Sequence, residues 1–254
     1  MLVPAGCVAL VACGRLGFDA AGDAQQTDVL REIDALANEV PDLVARYPMD
    51  ALGGGTVPAN LVAYAGNCTM CPAMIADGAH DGAYRFDGTQ WFDLPAISET
   101  FVGAAPFTIT LWIRTIESNT DRGVVAQPSY ATGLTDSVAI TQPSTTTISF
   151  ESTPNGLQYE YLDANPLVTV NDGAWHFIAA RWDGATKRIT VDGKTTLAAA
   201  TQLLESAQPI VVGADRDSMV TVRWMSGDLD DLRFYGRTLT DAELAVIRSS
   251  STGT

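Results

Sequence analysis

The sequence predicts an all-β fold, a sandwich of two facing antiparallel sheets. Three observations carry this. From Leu43 onward the apolar residues recur at a period of two. About a dozen such short runs follow one another at close spacing, divided by Gly, Pro, Asp and Asn. Almost no helical periodicity interrupts them, and strands without crossover helices bury their apolar faces by packing sheet on sheet. The chain has 254 residues, 46% of them hydrophobic, enough for one large β domain or two small ones.

Residues 1–13 are apolar and end in Leu10-Val11-Ala12-Cys13, small residues before a cysteine as in a bacterial lipobox. Cleavage there and acylation of Cys13 would make 1–13 a lipoprotein signal peptide. This leader is short and has no Lys or Arg before the cysteine, unlike ordinary secretory leaders. A buried apolar strand is the other reading, but it would have to hold Pro4 and Gly6. Gly14 after the cysteine fits passage to the outer membrane. The expected location is therefore the bacterial envelope, with membrane contact through the lipid alone, because no run of about 20 apolar residues follows. Residues 14–41 read as a tether and a short amphipathic helix, capped by Thr27, carrying Leu30, Ile33, Leu36 and Val40, and stopped by Pro41.

The β domain is expected over 42–248, with 249–254 a disordered tail. Residues 43–50 form the first strand, Gly53 to Gly55 a loop, and 60–64 a short strand. Residues 83–88 and 90–94 read as a pair with Asp87-Gly88-Thr89 as hairpin punctuation. In 107–114 Phe107, Ile109, Leu111 and Ile113 face one way, Thr108, Thr110, Trp112 and Arg114 the other. Strands follow at 123–127, 137–142, 146–151, 157–162 and 166–170. Residues 174–182 are apolar on both faces, as in a covered central strand. Residues 187–191 turn at Asp192-Gly193 into 195–199, and 209–213 and 220–225 lead to the last strand. There Leu232 and Phe234 share one face, Arg233 and Tyr235 the other. Thr240 with Glu243 makes a capping box, and Leu239 with Leu244 a hydrophobic staple, for a helical turn edged by Ile247.

A net charge of −15 argues against a nucleic-acid partner and disfavours anionic membranes. Acidity fits a calcium-binding surface, and equally a solvated, self-repelling one. Of four cysteines, Cys7 leaves with the leader and Cys13 takes lipid, so Cys68 and Cys71 remain as a pair. In an exported chain they read as a disulfide; zinc would need two further ligands, with only His80 nearby. A loop this small pins a local turn rather than the whole fold.

Several of these segments, in their order, resemble the LamG-like jelly rolls of the concanavalin A-like lectin/glucanase family: 44–50, 82–88, 107–113, 173–177, 182–184 with 189–193, and 227–244. The resemblance spans roughly 42–248. It implies the jelly-roll sandwich but leaves function open, since this fold hosts lectins, adhesion modules, enzyme accessory domains and enzymes. It also implies a calcium ion held by an early-strand acid, backbone carbonyls and a closing-strand acid, and Asp50, Asp87, Asp230 and Asp231 stand at matching positions. The same acids fit turn hydrogen bonds or a bulge.

Trp112 among threonines, or Tyr159 and Tyr161 beside Gln158 and Glu160, would supply aromatic planes for a saccharide; they also read as ordinary strand and core aromatics. Catalysis finds little support. The two histidines are His80 and His176, the latter after Trp175 as in the family, where it is structural. No G-x-S-x-G elbow occurs. Asp228, Asp230 and Asp231 are the nearest approach to a hydrolase acid pair, and their family counterparts are structural. The expected function is an exported, lipid-anchored, non-enzymatic module that binds a glycan or a cell-surface protein. The alternatives are a structural or accessory envelope protein without a ligand pocket and, behind it, a glycan-active hydrolase or lyase.

Overall fold

A computed structural model describes residues 40–97, 105–118, 121–129, 136–153, 159–164, 166, 168–200, 203, 205–217 and 220–250. The expected signal peptide with Cys13, the tether, all of the N-terminal helix but its last apolar position, and residues 251–254 lie outside them. The chain runs through β1 (Leu43–Tyr47), β2 (Thr56–Val57), β3 (Gly66–Asn67), β4 (Ala73–Ile75), β5 (Ala83–Asp87) and β6 (Phe92–Leu94). Next come β7 (Phe107–Arg114), β8 (Arg122–Pro128), β9 (Asp136–Gln142), β10 (Ser149–Ser152) and β11 (Glu160–Asp163). The last part holds β12 (His176–Trp182), β13 (Thr186–Val191), β14 (Lys194–Ala199), β15 (Ile210–Val212), β16 (Asp215–Asp217), β17 (Val220–Val222), β18 (Ser226–Tyr235) and the helix α1 (Asp241–Ser250).

Two large antiparallel sheets result. The first has the order β14-β13-β12-β7-β18-β5-β4, with β1 also on β18; the second has β11-β10-β9-β8-β15-β6-β3-β2. Strands β16 and β17 form a separate small hairpin. Between the sheets lie Tyr47, Phe86, Phe92, Phe107, Phe150, Trp182 and Phe234, all fully buried. Each such side chain contributes about 1.5–3 kcal/mol by leaving water. One charge is buried with them. Lys187 reaches across from β13, and its Nζ donates to the Phe150 carbonyl (3.3 Å), Ser152 Oγ (3.0 Å) and the Glu160 carbonyl (2.6 Å).

The closing strand is bulged. Its pairing with β7 slips between Asp230 and Arg233, and Asp231 takes a left-handed φ of 47°. The extra residue lets Leu229 and Leu232, three apart, both enter the core. The outer face of β7, β12 and β18 is buried too, because α1 lies on it: Trp112, Phe177, Ala179 and Tyr235 pack with Val40, Leu239, Leu244 and Ile247. Its start is the expected capping box, Thr240 N donating to Glu243 Oε2 (2.8 Å) and Glu243 N to Thr240 Oγ1 (3.3 Å).

Three expected elements differ. Asp87-Gly88-Thr89 does not close a hairpin, since β5 pairs with β18 and β4 while β6 pairs with β15 and β3. The turn carries the chain from one sheet to the other, and its Asp87 Oδ1 accepts from Thr89 N and Oγ1. This local geometry is the same whichever strands follow. Residues 60–64 hold a 3-10 turn at Val62–Tyr64, and the exposed Asn60 before it accepts from Arg46 N through Oδ1. The described part of 166–170 lies outside any strand. By contrast Asp192-Gly193 joins β13 to β14 as expected, with φ of 49° and 83°.

Candidate functional site

Strands β9, β10 and β11 place an unusual set of side chains on the outer face of the second sheet. Glu151 stands opposite both Tyr161 and Ala139, and Ser149 opposite Asp163 and Thr141. The period of two sends Val138, Ile140, Phe150 and Leu162 into the core. The floor left outside, Ser137, Ala139, Thr141, Ser149, Glu151 and Thr153, is polar apart from Ala139 and small apart from Glu151, and none of it is more than 2% exposed. At its edge Tyr161 is 57% exposed, and the Tyr159 ring lies 5.7 Å away at 33°.

Beside the tyrosines the floor holds unmatched polarity. Thr141 Oγ1 donates to Glu151 Oε1, while Glu151 Oε2 and Ser149 Oγ are buried with no hydrogen-bond partner among the described residues. Burial pushes the Glu151 carboxyl up, against the hydrogen bond from Thr141 and the nearby Arg223 charge. Arg223 itself is bound to Asp121 (3.0 Å) and Asp215. On the other side of the sheet, Lys187 ties the β10–β11 pair to β13, and burial lowers its ammonium to about 8.

The four acids expected to hold calcium do not form one ligand set, although Asp50, Asp230 and Asp231 lie near enough to feel one another's charge. Asp231 is bound by Arg233, whose Nη2 lies 2.7 Å from Oδ2, and by Arg46, whose Nε lies 2.7 Å from Oδ1. Although burial opposes it, these guanidiniums hold its carboxyl below the usual range. Asp230 points to a different partner, accepting from His80 N (2.8 Å), and burial pushes it up to about 8. Asp50 accepts from Gly82 N (2.8 Å). Asp87 pairs with Ser226, five residues before Asp231, or roughly 17 Å along an extended strand.

Calcium takes six to eight oxygens around one point, and both oxygens of Asp231 already face cations. Among the described residues no three His, Cys, Asp or Glu side chains come together as a metal site. The set does not fit the ion. What the sequence reading missed is the pair of arginines: Arg233 is visible two residues from Asp231, but Arg46 arrives through the β1–β18 register, where it stands opposite Arg233.

Trp112 is 8% exposed, packed edge-on against Phe177 and His80 at 5.4 Å each, and so offers no open plane on its sheet. Thr108 and Thr110 beside it are fully buried, Thr108 bonded to the Arg237 carbonyl and Leu239 N in the segment that leads into α1. Cys68 and Cys71 form a disulfide. His176 is held between Asp192 (2.7 Å) and Asp172 (3.0 Å), a brace at the head of β12.

The model of the concanavalin A-like lectin/glucanases superfamily matches residues 86–245. No curated protein sequence matches the chain. Among solved structures, the binding domain of Paraclostridial Mosquitocidal Protein 1 superposes with a TM-score of 0.64 at 11% identity, over 82% of this chain and 52% of that one. Domain 4 of AbnA, a GH43 extracellular arabinanase from Geobacillus stearothermophilus in complex with arabinotriose, gives 0.58 at 16% identity, over 80% and 96%. Trypanosoma rangeli sialidase in complex with sialic acid gives 0.65 at 10% identity, over 92% and 40%. This chain thus spans about half of the first and less than half of the sialidase, and at these identities the likeness is one of fold. With two antiparallel sheets in place and the family model matching more than half of its length, the chain belongs to the concanavalin A-like lectin/glucanase superfamily.

Proposed function

We propose that this chain is a binding module that recognises a glycan with the Tyr159–Tyr161 pair as its stacking platform. The single observation behind this is a pair of rings 5.7 Å apart at the edge of the second sheet, Tyr161 exposed on the edge strand and Tyr159, just before it, half-buried. Aromatic faces bury the C–H faces of sugar rings while their hydroxyls remain free for hydrogen bonds. The bound arabinotriose and sialic acid of the two similar structures support a saccharide as the ligand class. Asp163 and Glu151 stand beside the platform and the chain carries −15 overall, which favours a neutral glycan over an anionic one. The reading assigns no catalytic group.

The test is a screen of the full chain on neutral and anionic polysaccharides, followed by calorimetry on Tyr159→Ala and Tyr161→Ala. Each substitution is expected to weaken binding about tenfold with the melting temperature unchanged. Binding that survives loss of both rings rejects the platform. The covered floor favours a second reading, a structural envelope protein without a pocket, and a folded chain that binds nothing in the screen would support it. The proposal extends to display from the envelope through acyl groups on Cys13, which mass spectrometry of membrane-extracted protein would detect.

A further inference from the structure

A cleft of ≈ 610 Å³ opens between α1 and the first sheet, on the face of that sheet turned away from the core. Trp112 and Phe177, cross-strand neighbours on β7 and β12, line it, with Leu244 and Ala245 from α1 as the facing wall. Trp112 Nε1 is buried and has no hydrogen-bond partner among the described residues. Such orphaned donors in a native interior call for an explanation.

The cleft also carries Arg248, an exposed residue on the last turn of α1. Its guanidinium hangs over the β13–β14 hairpin, where a Cβ added to Gly193 would lie 3.5 Å from Nη1. Of the acids nearby, Asp192 is engaged by His176 Nδ1 and Phe177 N, and Asp241 by Arg181 at 2.7 Å. Arg248 forms no ion pair among the described residues. In a chain with 30 acidic and 15 basic residues, an arginine beside two aromatic rings that feels Asp192 as a nearby charge but forms no ion pair among the described residues is a local exception.

We propose that this cleft is a ligand site of its own, separate from the tyrosine platform, for a small organic anion with a flat apolar body. The body lies in the cleft between α1 and the sheet, against Leu244, Ala245 and the small uncovered edges of Trp112 and Phe177, and loses its apolar surface from water. The carboxylate or sulfonate meets the Arg248 fork, whose planar donors match it in two places. Elsewhere the acidic surface repels such a ligand, so Arg248 fixes both where it binds and which way round.

The experiment is a fluorescence titration of the full chain with anilinonaphthalene sulfonate, with naphthoate as competitor. Saturable one-site binding is expected, displaced by naphthoate and weakened several-fold when salt is raised to about 0.5 M. Arg248→Glu should weaken it at least about tenfold, since a repulsion replaces an attraction. Ala245→Trp, at an exposed helix position, should fill the cleft and abolish the signal. Both variants should melt with the wild type. Binding that neither substitution changes, failure of naphthoate to compete, or no saturable binding to the folded chain each overturns the proposal.

Discussion

Asp231 and Arg233 stand two residues apart on β18, and the arginine grips the carboxylate through Nε at 3.0 Å and Nη2 at 2.7 Å, both buried. Arg46 adds a third donor from β1, so the last strand is joined to the first by a carboxylate between two cations. Here the protein's own guanidiniums supply the positive charge that a bound ion would otherwise bring.

Removing Arg233 takes from that buried carboxylate its more deeply buried cation and leaves the partly exposed Arg46. Arg233→Ala is expected to cost about 3–5 kcal/mol in urea unfolding, and Arg46→Ala no more than about 1–2 kcal/mol, since water can replace a rim partner. Millimolar calcium and excess chelator should leave the wild-type melting temperature where it is. A calcium-dependent rise would return Asp231 to the role of ligand.

Asp230 presents the opposite case, a carboxyl raised to about 8 by burial. The folded state then holds a proton that the unfolded state has released between about pH 4 and 8, so this group's contribution falls as pH rises through that window. Asp230→Asn keeps the neutral shape and should remove that part of the slope. Its unfolding free energy should match wild type near pH 3.5 and exceed it progressively, by at least about 1–3 kcal/mol near pH 8. Parallel pH profiles for the two proteins would rule this out.

His176 and Lys187 pull in contrary directions above neutrality. The hydrogen bond to Asp192, opposed by burial and aided by Asp172, raises the imidazolium, so its stabilising effect is complete below pH 6.5 and is lost as pH climbs through the raised value. Lys187 is lowered by burial from 10.5 to about 8, so its cost is relieved between pH 8 and 10.5 and stability gains there. His176→Gln should flatten the first decline and Lys187→Met the second rise. Chemical denaturation from pH 6 to 10.5 on both variants separates them.

What could be read along the chain was whatever short-range geometry decides. The capping box, the staple of Leu239 and Leu244, the Asp192-Gly193 turn and the shared face of Tyr159 and Tyr161 all depend on residues a few positions apart. The crossover at Asp87 to Thr89, the Arg46 contact and the covering of Trp112 depend on which distant strands become neighbours. No local pattern distinguishes a turn within a sheet from one between sheets. Alternation likewise assigned Trp112 to a face without saying that α1 would lie on it.

The helix that covers Trp112 is itself fastened at one end, and this allows a last test. Glu243 accepts from Thr240 N and Oγ1, and is also gripped by Arg237, which reaches Asp42 at the start of β1. The hydrogen bonds from Arg237 and Thr240 lower its carboxyl to about 2. The linked stability is therefore present above the ordinary value of 4.5 and lost as pH falls toward 2. Thr240→Ala is expected to cost about 1 kcal/mol at pH 7, the smaller part of it that comes from the hydroxyl's bond to Glu243 fading toward pH 2 and the cap's own part remaining. Glu243→Gln retains the shape but weakens the arginine contact, so its deficit of about 1 kcal/mol should appear at pH 7 and vanish near pH 2. A Glu243→Gln deficit that stays constant down to pH 2 would show that the charge contributes nothing to holding α1 on the sheet.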